Sequence, residues 1–342
     1  MKTEIIYSPT ESALSRAASV LKNGGLVAFP TETVYGLGGH GLCTDSADKI
    51  YAAKGRPTDN PLILHLASAD EAEKYAYTCP MYYKLAMAFM PGPLTVILPK
   101  KEIVPDRVTG GLDTVALRVP AHPVASALLK RCDFPIAAPS ANTSGRPSPT
   151  EAEHVIEDLD GRIDMIVAGG SCEIGVESTI VSIDGEHLTL LRPGAITPEM
   201  LSCFCEELTI DPSLERPLLE GERPLAPGMK YRHYAPKAQV VLLEGSEEDI
   251  LAFMKEQQEK AEIGLLCSDE QFYALSGKNV ISYGKNQQEE AQRLFACLRE
   301  FDRREHVKTI YAPKPQKDGV GLAVYNRLAK AAGFTVKKVK EQ

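Results

Sequence analysis

The sequence predicts an α/β protein in two unequal parts: a twisted mixed sheet with helices, a long linker, and a small parallel, Rossmann-like α/β domain at the C-terminus. Three observations predict it. Short β-branched apolar runs alternate with amphipathic helical stretches as far as residue 208. Two of those runs are joined by Asp184-Gly185, a hairpin signal, so the first sheet is not purely parallel. Between 211 and 238 the periodicity stops and five prolines occur; beyond it strand-like and helix-like segments alternate regularly. The expected boundaries are 1–207 for the first domain, 208–238 for the linker and 239–342 for the second domain.

Taken in order, LVAFPTE (26–32) reads as a strand and SADKIYAAK (46–54) as a helix that Asp45 or Ser46 can cap. PLILHLA (61–67) is a strand, DEAEKYAYT (70–78) a helix, and MYYKLAMAFM (81–90) a helix stopped by Pro91-Gly92-Pro93. LTVILP (94–99) and TVALRVP (114–120) are strands, and HPVASALLKRC (122–132) is a helix. FPIAAPSANTSGRPS (134–148) starts as a strand and ends as a loop. IDMIVAGG (163–170) is a buried strand, STIVSIDGEHLTLLRPG (178–194) the hairpin, and TPEMLSCFCEEL (197–208) a helix. In the second domain QVVLLEG, EIGLLCS, NVISYG and KTIYAPKP read as strands. EEDILAFMKEQQEKA, QQEEAQRLFACLREFDRR and LAVYNRLAKAA read as helices. The linker carries Lys230, Tyr231, Arg232, His233 and Tyr234, unlike a passive Gly/Ser tether.

A net charge of −8 argues against a broad nucleic-acid footprint. A polyanion would have to meet a local basic patch, which favours a small phosphorylated ligand. No apolar run approaches the ~18 residues of a membrane span, and the first residues lack a signal-peptide layout, so a cytoplasmic protein without a membrane partner is expected. The eight cysteines form no CxxC and mostly sit beside apolar residues, as expected of buried, reduced thiols.

Several motifs fail their context test. GLGGHG (36–41) matches a dinucleotide fingerprint, but Gly41 opens no helix. There is no phosphate-binding G-x-x-x-x-G-K-[ST], and Ser140 lacks the G-x-S-x-G elbow of a nucleophile. What survives is a set of polar residues interrupting apolar runs: Thr31, Glu32 and Thr33; Lys54 and Arg56; Asn60; His65; Arg118; Ser140 and Asn142; Ser178, Thr179 and Arg192. Lys54 and Arg56 fit either compensation of a helix C-terminus or an anion site. His65 fits a satisfied core histidine as well as a site. Arg118, between Leu117 and Val119, must face solvent or find a partner. Basic groups with Ser, Thr and Asn at strand ends suit a phosphate or carboxylate pocket.

In order along the chain, FPTETVYGLG, IYAAKGRPTDNPL, PGPLTVIL, VALRVPAHP, PIAAPSANTSGRPSPT, ESTIV and LLRPGAI resemble the threonylcarbamoyl-adenylate synthase family with its YrdC-type catalytic domain. Its spaced Lys-x-Arg and Ser-x-Asn signature stands at Lys54/Arg56 and Ser140/Asn142. APGMKYRHYAPKA and the last hundred residues resemble the linker and accessory domain of the two-domain form. The resemblance implies a nucleotidyltransferase that joins ATP, L-threonine and bicarbonate into threonylcarbamoyl-adenylate and pyrophosphate. The product would pass to the tRNA threonylcarbamoyl-transfer complex, with room for a weak direct tRNA contact. It implies Lys54, Arg56, Ser140 and Asn142 as catalytic residues around the triphosphate, with Mg²⁺ held mainly by the phosphates rather than by the protein. Asn60, Thr114, Ser148, Arg192 and Tyr234 are the further implied ATP contacts. Thr33, His65, Arg118, Ala138 and Ser178 are the implied threonine pocket, and the linker is implied as a lid. Two other readings compete: an RNA-binding module, disfavoured by the charge, and a carbamoyl-adenylating module of hydrogenase maturation, disfavoured by the lack of CxxC.

Overall fold

The computed structural model describes residues 2–216, Ala226 and 233–339; Lys230, Tyr231 and Arg232 of the expected linker lie outside them. Among the described residues, eleven strands form the first sheet. They are β1 (Glu4–Ile6), β2 (Val27–Phe29), β3 (Gly36–His40), β4 (Ile63–His65), β5 (Leu94–Pro99), β6 (Thr114–Arg118), β7 (Ile136–Ala137), β8 (Met165–Val167), β9 (Thr179–Asp184), β10 (His187–Arg192) and β11 (Glu207–Ile210). Their order is β1-β8-β2-β3-β7-β4-β6-β5-β9-β10-β11, with parallel and antiparallel pairs mixed. The second sheet contains β12 (Gln239–Glu244), β13 (Ile263–Cys267), β14 (Val280–Ser282), β15 (Thr309–Pro313) and β16 (Val336–Lys338). Its order is β14-β13-β15-β12-β16, and every pair is parallel. The expected two-part α/β architecture is thus present.

Register positions the site. β4 and β6 run parallel with His65 opposite Arg118, and β5 sets Thr95 opposite Arg118 on the other side. The hairpin forms as expected: Asp184 pairs His187, and Gly185 takes the positive φ (+59°) the turn needs.

GLGGH is strand β3, not a phosphate loop. A Cβ at Gly38 would come within 2.8 Å of Ile136 and Phe29 side chains, so packing between neighbouring strands demands glycine there. Three expected helices are corrected. The helix Thr44–Lys54 is N-capped by Cys43; Asp45 lies in its first turn and Ser46 is buried inside it. Only Ala72–Tyr75 of 70–78 is α-helical, because Ala76 and Tyr77 pair with the backbone of Pro99 and Lys100. The helix expected over 197–208 stops after Ser202, and Glu207–Ile210 pairs in parallel with β10. In both of the last cases sheet pairing outweighs helical pattern. All eight cysteines are free, but only Cys172, Cys267 and Cys297 are buried, and Cys203 is exposed.

The two sheets share one apolar interior. A single buried cluster runs from Val34, Tyr35 and Ile196 through Tyr234 to Phe295, Leu322 and Leu328. The contact is close enough that a Cβ on Gly175 (φ +80°) would sit 2.3 Å from Gln292 Cα on the helix Gln287–Arg303.

Candidate active site

Lys54 ends the helix Thr44–Lys54, and Gly55 at φ +64° turns the chain away. The lysine folds back and is only 1% exposed. Its Nζ donates to the carbonyls of Ser140 and Asn142, both at 2.5 Å, and to Asn142 Oδ1 at 3.3 Å. Ser140 Oγ donates to the same Asn142 Oδ1 at 2.5 Å. The two halves of the signature, more than eighty residues apart in sequence, therefore meet directly. Arg56 is fixed by Asn60 O (3.2 Å), Asn60 Oδ1 (2.7 Å) and Pro61 O (2.9 Å).

Arg56, His65, Arg118, Ala138, Ser140, Arg192 and Tyr234 line one cleft together with Thr31, Glu177 and His233. Other expected residues stand one contact behind this wall. Lys54 and Asn142 lie behind Ser140, Asn60 behind Arg56, and Thr33 behind Thr31 at 2.9 Å between hydroxyls. Ser148 donates to Glu177 at 2.5 Å, and Ser178 receives Arg192 at 3.0 Å. Thr114 is elsewhere: it opens β6, pairs with Pro99, and lies four residues, roughly 13 Å of strand, from Arg118.

The walls are buried and positively charged. Arg118 pairs with Glu32 at 2.6 Å, and Glu177 pairs with Arg327 of the second domain at 2.7 Å. Burial, then neighbouring Arg56, holds the Lys54 amine well below its usual range. Burial and the nearby cations Arg327 and Arg192 lower Lys330 to about 7. Glu177 resists burial, because Arg327 and Arg192 draw it down to about 2. Three buried polar atoms of the site, Arg118 Nε, His233 Nε2 and Asn60 Nδ2, have no partner among the described residues. Each costs about 1–3 kcal/mol unless a ligand or water satisfies it. The arrangement can hold a small polyanion beside a second, polar ligand. No group of three or more His, Cys, Asp and Glu residues is placed to hold a metal among the described residues.

Glu177, His233 and Arg327 were outside the expected site, and Glu32, though singled out, carried no expected role. A carboxylate within the apolar text of FPTETVYGLG and ESTIV is the available signal, since a buried carboxylate must find a cation. Arg327 had none, because its partner is 150 residues away.

Two buried histidines give a pH prediction. Burial, then Arg118, lowers His65 to about 3; burial, then Arg56 and Lys330, lowers His233 to about 3. Both folded values are depressed below the unfolded ~6.5, so their contribution is complete above about pH 6.5 and is lost as pH falls towards 3. The urea midpoint should decline between about pH 6.5 and 4.5, and His65→Gln should flatten that decline. A level wild-type midpoint over this window would contradict it.

Residues 19–194 match the family model for Sua5, YciO and YrdC sequences described as "Telomere recombination". Residues 196–333 match the one described as "Threonylcarbamoyl-AMP synthase, C-terminal domain". A threonylcarbamoyl-AMP synthase of Bacillus subtilis (strain 168) is 47% identical over 96% of this chain and 95% of its own length. One from Pyrococcus abyssi is 45% identical over 94% and 95%. The crystal structure of P. abyssi Sua5 complexed with L-threonine superposes with a TM-score of 0.92 at 42% identity, covering 99% of this chain and 100% of that one. No helix among the described residues is long and apolar enough to cross a membrane.

Proposed function

The chain belongs to the threonylcarbamoyl-AMP synthase family, and from that premise we propose that it converts ATP, L-threonine and bicarbonate (or carbon dioxide) into L-threonylcarbamoyladenylate and pyrophosphate. The product then passes to the proteins that modify ANN-decoding tRNAs. The charge of the pocket carries the proposal: Arg56, Arg118 and Arg192 line it, with Lys54 behind Ser140 and Arg327 behind Glu177, whereas Glu32 and Glu177 are already engaged by Arg118 and Arg327. Such an excess of buried positive charge is costly without an anion, and a triphosphate supplies one.

The threonine amine adds to carbon dioxide with loss of a proton, or to bicarbonate with loss of water, to form a carbamate. A carbamate oxygen then attacks the α-phosphorus, the bond to the bridging oxygen breaks, and pyrophosphate leaves. In such in-line transfers the protein positions reactants and neutralises charge. Arg56, held by Asn60 and Pro61, takes the charge growing on the leaving pyrophosphate. Lys54 holds the carbonyls of Ser140 and Asn142 that shape the cradle. Arg118 offers its unsatisfied Nε to the threonine carboxylate, with Thr33 and His65 near the remaining polar groups. Mg²⁺ would be held mainly by the phosphates and would offset their charge; the hydroxyl of Ser140 and the amide oxygen of Asn142 are hard oxygen donors that would complete its shell. The buried walls keep water from the carbamate, which readily loses carbon dioxide. Tyr234, stacked on Phe295 at 5.2 Å and under Arg327, closes the cavity as part of the linker lid.

The test is to incubate the protein with ATP, Mg²⁺, bicarbonate and each amino acid, and to look by mass for the acyl-adenylate. Threonine should give it, with matching pyrophosphate. Pyrophosphate release that needs neither amino acid nor bicarbonate would overturn the proposal; a serine product would broaden it.

A further inference from the structure

One buried cation from the second domain touches neither the cavity nor the expected substrates. Arg299, on the helix Gln287–Arg303, is 1% exposed. Its Nε and Nη2 donate to Pro147 O at 3.1 and 2.7 Å. Its Nη1 and Nη2 grip Asp158 at 3.2 and 2.9 Å. Asp158, on the helix Ala152–Leu159, accepts the Thr143 backbone N–H at 3.0 Å and also binds the Arg146 guanidinium. One fork thus fixes both ends of the turn 143–147.

That turn is the outer support of the signature. Asn142 Nδ2 donates to Thr143 O (2.8 Å) and Arg146 O (3.0 Å), which orients the amide whose oxygen receives Lys54 and Ser140. Ser144 N–H donates to Lys54 O at 2.8 Å. Among the described linker residues, Ala235 N–H donates to Gly145 O at 2.9 Å and Lys237 N–H to Asp302 at 2.6 Å. Among the described residues, the strands carrying His65 and Arg118 receive no hydrogen bond from Arg299, Asp158 or the turn 143–147.

We propose that Arg299 is a positioning residue for the nucleotide half of the site: through Pro147 O and Asp158 the second domain sets the turn on which Asn142 and Lys54 depend. The proposal rests on the reading that this cradle receives the phosphates of ATP. Arg299→Lys keeps the charge but cannot make the planar fork. Misplacement of a phosphate-binding group by a distant change should cost on the order of 10- to 100-fold.

The experiment measures Kd for a non-hydrolysable ATP analogue and for L-threonine, with amide exchange over 142–147, in wild type and R299K. Nucleotide affinity should fall by about that factor, threonine affinity should stay within about twofold, and exchange should rise in 142–147 without rising in β4 and β6. Asp158→Asn, which keeps an acceptor for Thr143 N–H but weakens the fork, should show the same split and serves if R299K does not fold. Equal loss of both affinities would mean general loosening and overturn the role of Arg299, as would no loss of either. Wild type that binds threonine but no nucleotide would instead overturn the adenylation reading, and the positioning role with it.

Discussion

Arg56→Ala lowers threonine- and bicarbonate-dependent pyrophosphate release by on the order of 10²–10³-fold, with the fold intact. The side chain lines the cavity and is already oriented by three bonds to Asn60 and Pro61, so it needs little reorganisation when charge develops on the leaving group. Lys54→Ala is a less clean probe. Lys54 holds two carbonyls and the Asn142 amide, and its removal slackens the cradle as well as removing charge. Arg56→Lys separates charge from geometry, since an ammonium restores the former but not the fork. If Arg56 served only to offset the helix C-terminus, its loss would cost at most about 1 kcal/mol of stability and leave turnover unchanged. Steady-state pyrophosphate assays beside a thermal melt distinguish the two.

Arg327→Met destabilises the protein by about 3–5 kcal/mol, read as a drop in the urea midpoint. Arg327 is fully buried, and its Nε meets Glu177 Oε2 at 2.7 Å. Without it, Glu177 keeps Ser148 and the field of Arg192 but loses its ion-pair partner. Glu177→Gln in the same background should recover part of the loss, because a neutral amide needs no counter-charge. An Arg327→Met midpoint within about 1 kcal/mol of wild type would show that the pair is replaceable. Removing everything past residue 205 carries the same defect, and strips Arg299 from Asp158 too. Tyr234→Ala therefore tests the lid more cleanly than truncation does.

Much of this was legible before the fold was known. Lys54, Arg56, Ser140 and Asn142 stood out because polar residues ended apolar runs in local text, and the hairpin was written in Asp184-Gly185. Sheet order, in contrast, is a long-range property. β3 hid in a glycine-rich stretch because Gly38 answers to Ile136 and Phe29 on neighbouring strands, and β11 hid in a helical pattern because β10 claims it. The ion pairs of Arg299 and Arg327 join residues 141 and 150 apart, so no window could reveal them. Thr114 matched a family position, but the strand carries it to the far end of β6 from Arg118.

Those two arginines also put the site on a clock. A ribosome delivers the chain from its N-terminus, so every residue of the Lys54 cradle is outside before Arg299 or Arg327 has been made. At about 5–20 residues per second, Asp158 and Glu177 wait roughly 7 to 30 seconds for their partners. A nascent first domain therefore carries Glu177 without Arg327, and an Asp158 that has Arg146 but not yet Arg299. The ion pair behind the cleft wall is complete only once the last helix, Gly321–Ala331, has docked.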